Sequence, residues 1–133
     1  MCRITVRISF VFGVAMLLGG CGREYGHERL DDASEPSRRV REMIAALRSA
    51  GTENLAVVYH AQCVAELSED RADRLRTALR RIAQADAAEL RKLDAYGGDV
   101  LRASIELQSG QRRKTVFLLL VAKGDKLLWA GVN

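Results

Sequence analysis

Apolar residues recur along this chain at two helical spacings and one alternating spacing, and these outline the elements. Val40, Met43, Ile44 and Leu47 stand three and four apart, the spacing of one helix face. Ser37, just after Pro36, reads as the cap of that helix and Gly51 as its stop, with Arg38, Arg39, Arg41 and Arg48 on the wet side. Leu75, Leu79, Ile82, Ala83, Leu90 and Leu93 form a second stripe, which predicts a long helix. Ser68 caps it, Glu69 and Asp70 lie where the macrodipole favours acids, and Gly97-Gly98 ends it. Asp70–Arg74 and Asp73–Arg76 fall at ion-pair spacing on its polar side.

The remaining patterns predict strands. Leu101, Ala103, Ile105 and Leu107 alternate with Arg102, Ser104, Glu106 and Gln108, as in a half-buried strand. Thr115 to Ala122 is apolar on both faces, which calls for something packed on each side. Leu127 to Val132 follows, with turns at Ser109-Gly110-Gln111 and Lys123-Gly124-Asp125. Leu55 to Leu67 is ambiguous. Its alternate positions Leu55, Val57, Tyr59, Ala61, Cys63, Ala65 and Leu67 are apolar and its valines favour a strand, while its length and alanines also suit a helix.

With the strand reading, the order is α-β-α-β-β-β. The fold class is then α+β, a small antiparallel sheet of a three-stranded C-terminal meander plus a strand at 55–66, packed on a long helix. With a helix there, the order becomes ααβββ. In outline the first is similar to cystatin-like and roadblock-like modules, and the second to some outer-membrane assembly lipoproteins. No residue motif of these families is present, so the likeness is one of outline.

The start of the chain follows a different logic. Met1 to Arg7 carries two arginines and no acid, Ile8 to Leu18 is apolar, and Gly19, Gly20 and Cys21 follow. These are the parts of a secretory signal peptide. The apolar run is too short for the about 20 residues that a bilayer crossing needs. Leu18-Gly19-Gly20-Cys21 resembles the lipobox of bacterial lipoproteins. The resemblance covers residues 1–21 and implies diacylglyceryl on the Cys21 sulfur, cleavage before Cys21 and acylation, as with palmitate, of the new amino group. Several acyl chains on one residue make an effectively permanent tether. Gly22, where an Asp is associated with inner-membrane retention, is similar to the outer-membrane default.

The expected plan is a signal peptide at 1–20, a lipidated Cys21 with a flexible tether over 21–36, and one small α+β domain at 37–133. The whole-chain formal charge of +4 falls to +2 once Arg3 and Arg7 are removed, which weakens the case for a nucleic-acid partner. Of three cysteines, Cys2 leaves with the signal peptide and Cys21 is lipidated. Cys63 then has no disulfide partner and is either buried and inert or available to another molecule.

Catalytic chemistry is sparse in this sequence. His60 and Cys63 would face opposite sides of a strand and could form a dyad only on a helix. No four-ligand metal set is spaced as structural zinc requires, and no metal is expected. Asp31-Asp32 and Glu69-Asp70 read as tether and helix-start charge, and no glycine-rich phosphate loop is present. Arg112-Arg113-Lys114 at a hairpin reads first as a solvated turn guarding an apolar strand, and second as a contact for anionic headgroups or an acidic partner.

The leading expectation is a non-catalytic, lipid-anchored envelope module that binds another envelope protein or takes part in envelope assembly. It is placed at the outer membrane facing the periplasm, with no cofactor beyond the lipid. Phe117, Leu119, Trp129, Arg112 and Arg113 are its candidate interaction surface. The alternative is a carrier of apolar ligands or lipids, with a pocket between sheet and helix lined by Phe117, Leu119 and Trp129. An envelope hydrolase ranks last.

Overall fold

The computed structural model describes residues 28–133. Leu18, Gly19, Gly20 and Cys21 lie outside them, as do the signal peptide and the first part of the tether. The elements are β1 (Glu28–Arg29), α1 (Glu35–Ala50), α2 (Leu55–Gln62), α3 (Glu69–Gln84), β2 (Ala87–Gly97), β3 (Val100–Ser109), β4 (Arg112–Lys123) and β5 (Lys126–Val132). The strands form one antiparallel sheet in the order β1-β2-β3-β4-β5, and the helices pack on one of its faces. The class is α+β, with the last two turns at Gly110 and Gly124 as the sequence predicts.

Three boundaries differ from the sequence reading, each for a physical reason. First, residues 28–36 belong to the domain. Glu28 and Arg29 pair with Ala95 and Asp94, and the Leu30 N–H donates to the Leu93 carbonyl at 2.7 Å. A ladder of this kind uses backbone groups only, so a polar sequence conceals it. The cap of α1 is Ser34, whose hydroxyl accepts from the Ser37 N–H at 3.3 Å. Pro36 then sits in the first turn, where its missing N–H has no bond to lose. The hydroxyl of Ser37, which is buried, donates instead to the Asp31 carbonyl.

Second, Leu55–Gln62 is helical, so the expected strand at 55–66 is replaced by α2. Its residues are apolar at nearly every position, and such a run fits a period of 2 or of 3.6 equally well. The helix keeps Leu55 buried and leaves Val57 68 % exposed. The chain turns extended at Cys63, which makes one parallel bridge to Trp129, while the Val64 N–H donates to the Trp129 carbonyl.

Third, α3 stops at Gln84, and Leu90 and Leu93 lie on β2. They stand three apart, as on a helix, because the β2–β3 register shifts between Leu90 and Lys92. This bulge turns both leucines toward the helices. A bulged strand thus counterfeits a helical period. Ser68 does cap α3, accepting from the Arg71 N–H, and Asp70–Arg74 and Asp73–Arg76 do pair, at 3.5 and 2.8 Å. Gly51 ends α1 at φ +69, a conformation that favours glycine.

The core lies between the helices and one sheet face. Val40, Ile44 and Leu47 of α1 and Leu75, Leu79 and Ile82 of α3 pack with Leu93, Ile105, Leu118, Leu120 and Trp129. Arg48, expected on the wet side of α1, crosses to the end of α3. Its guanidinium donates to the carbonyls of Ile82, Ala85 and Asp86 at 2.8–2.9 Å. The orphan carbonyls of a helix C-terminus attract such a cation.

Candidate interaction surface

Strand alternation sends Val116, Leu118 and Leu120 of β4 into the core and Phe117, Leu119 and Val121 to the opposite face. Both larger helices pack on the core side, so α1 does not cover the second face. Among the described residues this second face carries no helix. We refer to it as the open face.

Register assembles the open face from four strands. Phe117 lies opposite Ser104, Leu119 opposite Arg102 on one side and Gly131 on the other, and Val121 opposite Leu128. The result is an apolar strip along β4 and β5 beside a polar cluster on β2 and β3. Phe117 is 38 % and Tyr96 37 % exposed, high values for large apolar groups.

The polar cluster is centred on Asp94, which is buried. Arg102, directly across on β3, donates from an Nη to Asp94 Oδ2 at 3.3 Å, and Lys92 Nζ lies 3.7 Å from the same oxygen. The Arg102 guanidinium stands 5.3 Å from the Tyr96 ring centre and 5.4 Å from that of Phe117. Rings at this range hold a cation over their negative faces. Two donors in the cluster are buried without an acceptor, Arg102 Nε and the Ser104 hydroxyl. Farther along β3, Glu106 lies between Arg91 at 3.8 Å and Arg113 at 3.9 Å.

The residues singled out in sequence therefore separate. Phe117 and Leu119 share the open face, and Arg113 borders it. Arg112 is exposed at the hairpin, opposite Ser109. Trp129 is on the other side, fully buried, with its indole N–H donating to Gln62 Oε1 at 2.9 Å. A pocket between sheet and helix lined jointly by Phe117, Leu119 and Trp129 is excluded by this division. Sequence reasoning missed Asp94, Arg102 and Ser104. Their signal is the polar side of β3 lying opposite the outer apolar side of β4, legible only once the register is known.

His60 and Cys63 do not form a dyad. His60 is exposed on α2, whereas Cys63 is buried in the core cluster. Burial pushes the Cys63 thiol up to about 12, with Arg76 acting weakly the other way. Such a thiol is a poor nucleophile at neutral pH. Among the described residues no three His, Cys, Asp or Glu side chains group to hold a metal ion, and no helix is long and apolar enough to cross a membrane. An open groove between α1 and β2, about 420 Å³, is bordered by Arg41, Ile44, Arg48, Ala88 and Leu90.

No family model matches the chain, and no curated protein is similar to it. Among solved structures, a de novo designed NTF2 fold protein, NT-9, aligns with 70 % of this chain and 82 % of that chain. The TM-score is 0.49 and the identity 17 %, a likeness that assigns neither a family nor a function.

Proposed function

We propose that the chain is a lipid-anchored, non-catalytic binding module of the bacterial cell envelope, and that the open face of its sheet is the binding surface. The observation that carries the binding role is the division of β4. Its inner residues complete the core, and Phe117, Leu119 and Val121 make a second apolar strip that no helix among the described residues covers. Apolar strips rimmed by charge mark interaction sites. The anchor is supported by the order Leu18-Gly19-Gly20-Cys21 after a basic start and an apolar run. We place the module at the outer membrane facing the periplasm, held by acyl chains on Cys21, with an envelope protein as the macromolecular partner.

A carrier that encloses its ligand at the centre of the helix–sheet core is disfavoured, because Trp129, Leu118, Leu120 and the α1 and α3 stripes fill that core and the groove between α1 and β2 is an open one. A hydrolase built on His60 and Cys63 is disfavoured by their separation.

Two measurements test the reading. The intact mass of membrane-extracted protein should equal residues 21–133 plus acyl chains, and Cys21→Ala should lose both the cleavage and the added mass. A photo-crosslinking amino acid placed at residue 117 should give adducts with an envelope protein, while one placed at exposed residue 57 should not. An unprocessed wild-type chain removes the anchor. Equal crosslinking from both positions removes the open face as the surface.

A further inference from the structure

Two hydrogen-bond donors lie buried on the open face with nothing to bond. Ser104 is only 6 % exposed and its hydroxyl has no partner, and Arg102 Nε likewise meets no acceptor. The two residues are two apart on β3, so they share a face about 7 Å apart. A buried donor left unmet costs about 1–3 kcal/mol. An acceptor group with two oxygens has one to offer each donor.

The charge of that acceptor follows from the neighbours. Arg102 and Lys92 share one carboxylate, Asp94, which leaves this trio with a single net positive charge. A monoanion neutralises it. A phosphate dianion overshoots that single charge and is repelled by Asp94. The surroundings fix the rest of the ligand. Phe117 stands opposite Ser104 and Leu119 opposite Arg102, and Val121 and Leu128 extend the strip. From Phe117 to Val121 the strand runs about 13 Å, room for an alkyl chain of medium length.

We propose that this notch binds a fatty-acid-like carboxylate. Its head accepts from Arg102 Nε–H and the Ser104 hydroxyl, and its chain lies over Phe117, Leu119 and Val121. The inference rests on the open face being the binding surface and names a small ligand for it. The Phe117 ring stands over the guanidinium, lies opposite Ser104 and is more than one-third exposed, so in this proposal it is the side chain that gives way to the ligand.

The test uses the full chain in phosphatidylcholine nanodiscs with two photoactivatable probes, a diazirine fatty acid of medium chain length and the matching diazirine alcohol. Adducts are mapped by mass spectrometry. Charge-assisted hydrogen bonds should make the acid label β4 about tenfold more than the alcohol. Ser104→Ala should reduce that preference severalfold, and Arg102→Met should abolish it. Unfolding of each variant is followed in parallel, and if Arg102→Met does not fold, the Ser104→Ala arm decides. Equal labelling by acid and alcohol overturns the site, as do adducts lying mainly in the α1–β2 groove. If the acid fails while residue 117 still crosslinks an envelope protein, the carboxylate site falls and the binding face stands; if both fail, both fall.

Discussion

Cys63 joins α2 to the sheet, and its burial makes its protonation sensitive to folding. The folded thiol titrates at about 12, well above its ordinary value of 9.0, because burial disfavours the thiolate. The folded chain therefore holds this proton more tightly than the unfolded chain does. The stability this contributes is complete below about pH 9 and is lost as pH rises toward 12. Wild type should thus lose its advantage over Cys63→Ala as urea midpoints are compared from pH 8 upward; a constant difference refutes the linkage. In the same experiment the Cys63 thiol should resist iodoacetamide at pH 8 and react once urea unfolds the chain. Cys63→Ser should be less stable than Cys63→Ala, because the hydroxyl would be buried where a thiol was tolerated. His60, exposed one helical turn away, should be replaceable by Ala with a change within about 0.5 kcal/mol.

Arg48 works at the scale of elements, since it ties the last turn of α1 to the end of α3 and to the start of β2. Charge-assisted bonds to three carbonyls hold it there, and Arg48→Met should destabilise the chain by about 1.5–3 kcal/mol. Arg38→Met should change little, because Glu35 and Glu42 pair with it at the surface. Chemical denaturation of the two variants checks this, and equal effects would show that the carbonyl contacts contribute nothing. Sequence could place Arg48 on α1 but not at the foot of α3, because that contact spans two helices. The same distinction governs what was legible elsewhere. Caps and stops with strong local chemistry, Ser68 and Gly51, were readable, as were the turns at Gly110 and Gly124. Elements whose period is set by distant partners were not. The bulge beside Leu90 takes its meaning from the register with Ile105 and Ser104, and the helix at Leu55–Gln62 from the core that accepts Leu55.

At the scale of the whole molecule, β4 connects fold and function because its two faces do different work. That it is apolar on both is legible in sequence, but which face the helices take is not, and Trp129 lies in the core and not beside Phe117 and Leu119. The division makes a sharp prediction. Leu118 and Leu120 are fully buried against the helices, and Leu118→Ala or Leu120→Ala should each cost about 2–5 kcal/mol through lost burial and the cavity left behind. Leu119→Ala, between them in sequence but on the open face, should cost far less in stability. Its effect should fall on binding, read as loss of the crosslink from residue 117 and of acid-selective labelling along β4. Thermal unfolding and crosslinking of the three variants separate the two roles. If Leu119→Ala destabilised the chain as much as its neighbours, the open face would be a second core face and not a binding surface. If it left both stability and crosslinking intact, the apolar strip would be surface without a partner. Only a loss of binding with the fold retained matches a strand that finishes the core on one side and meets a ligand on the other.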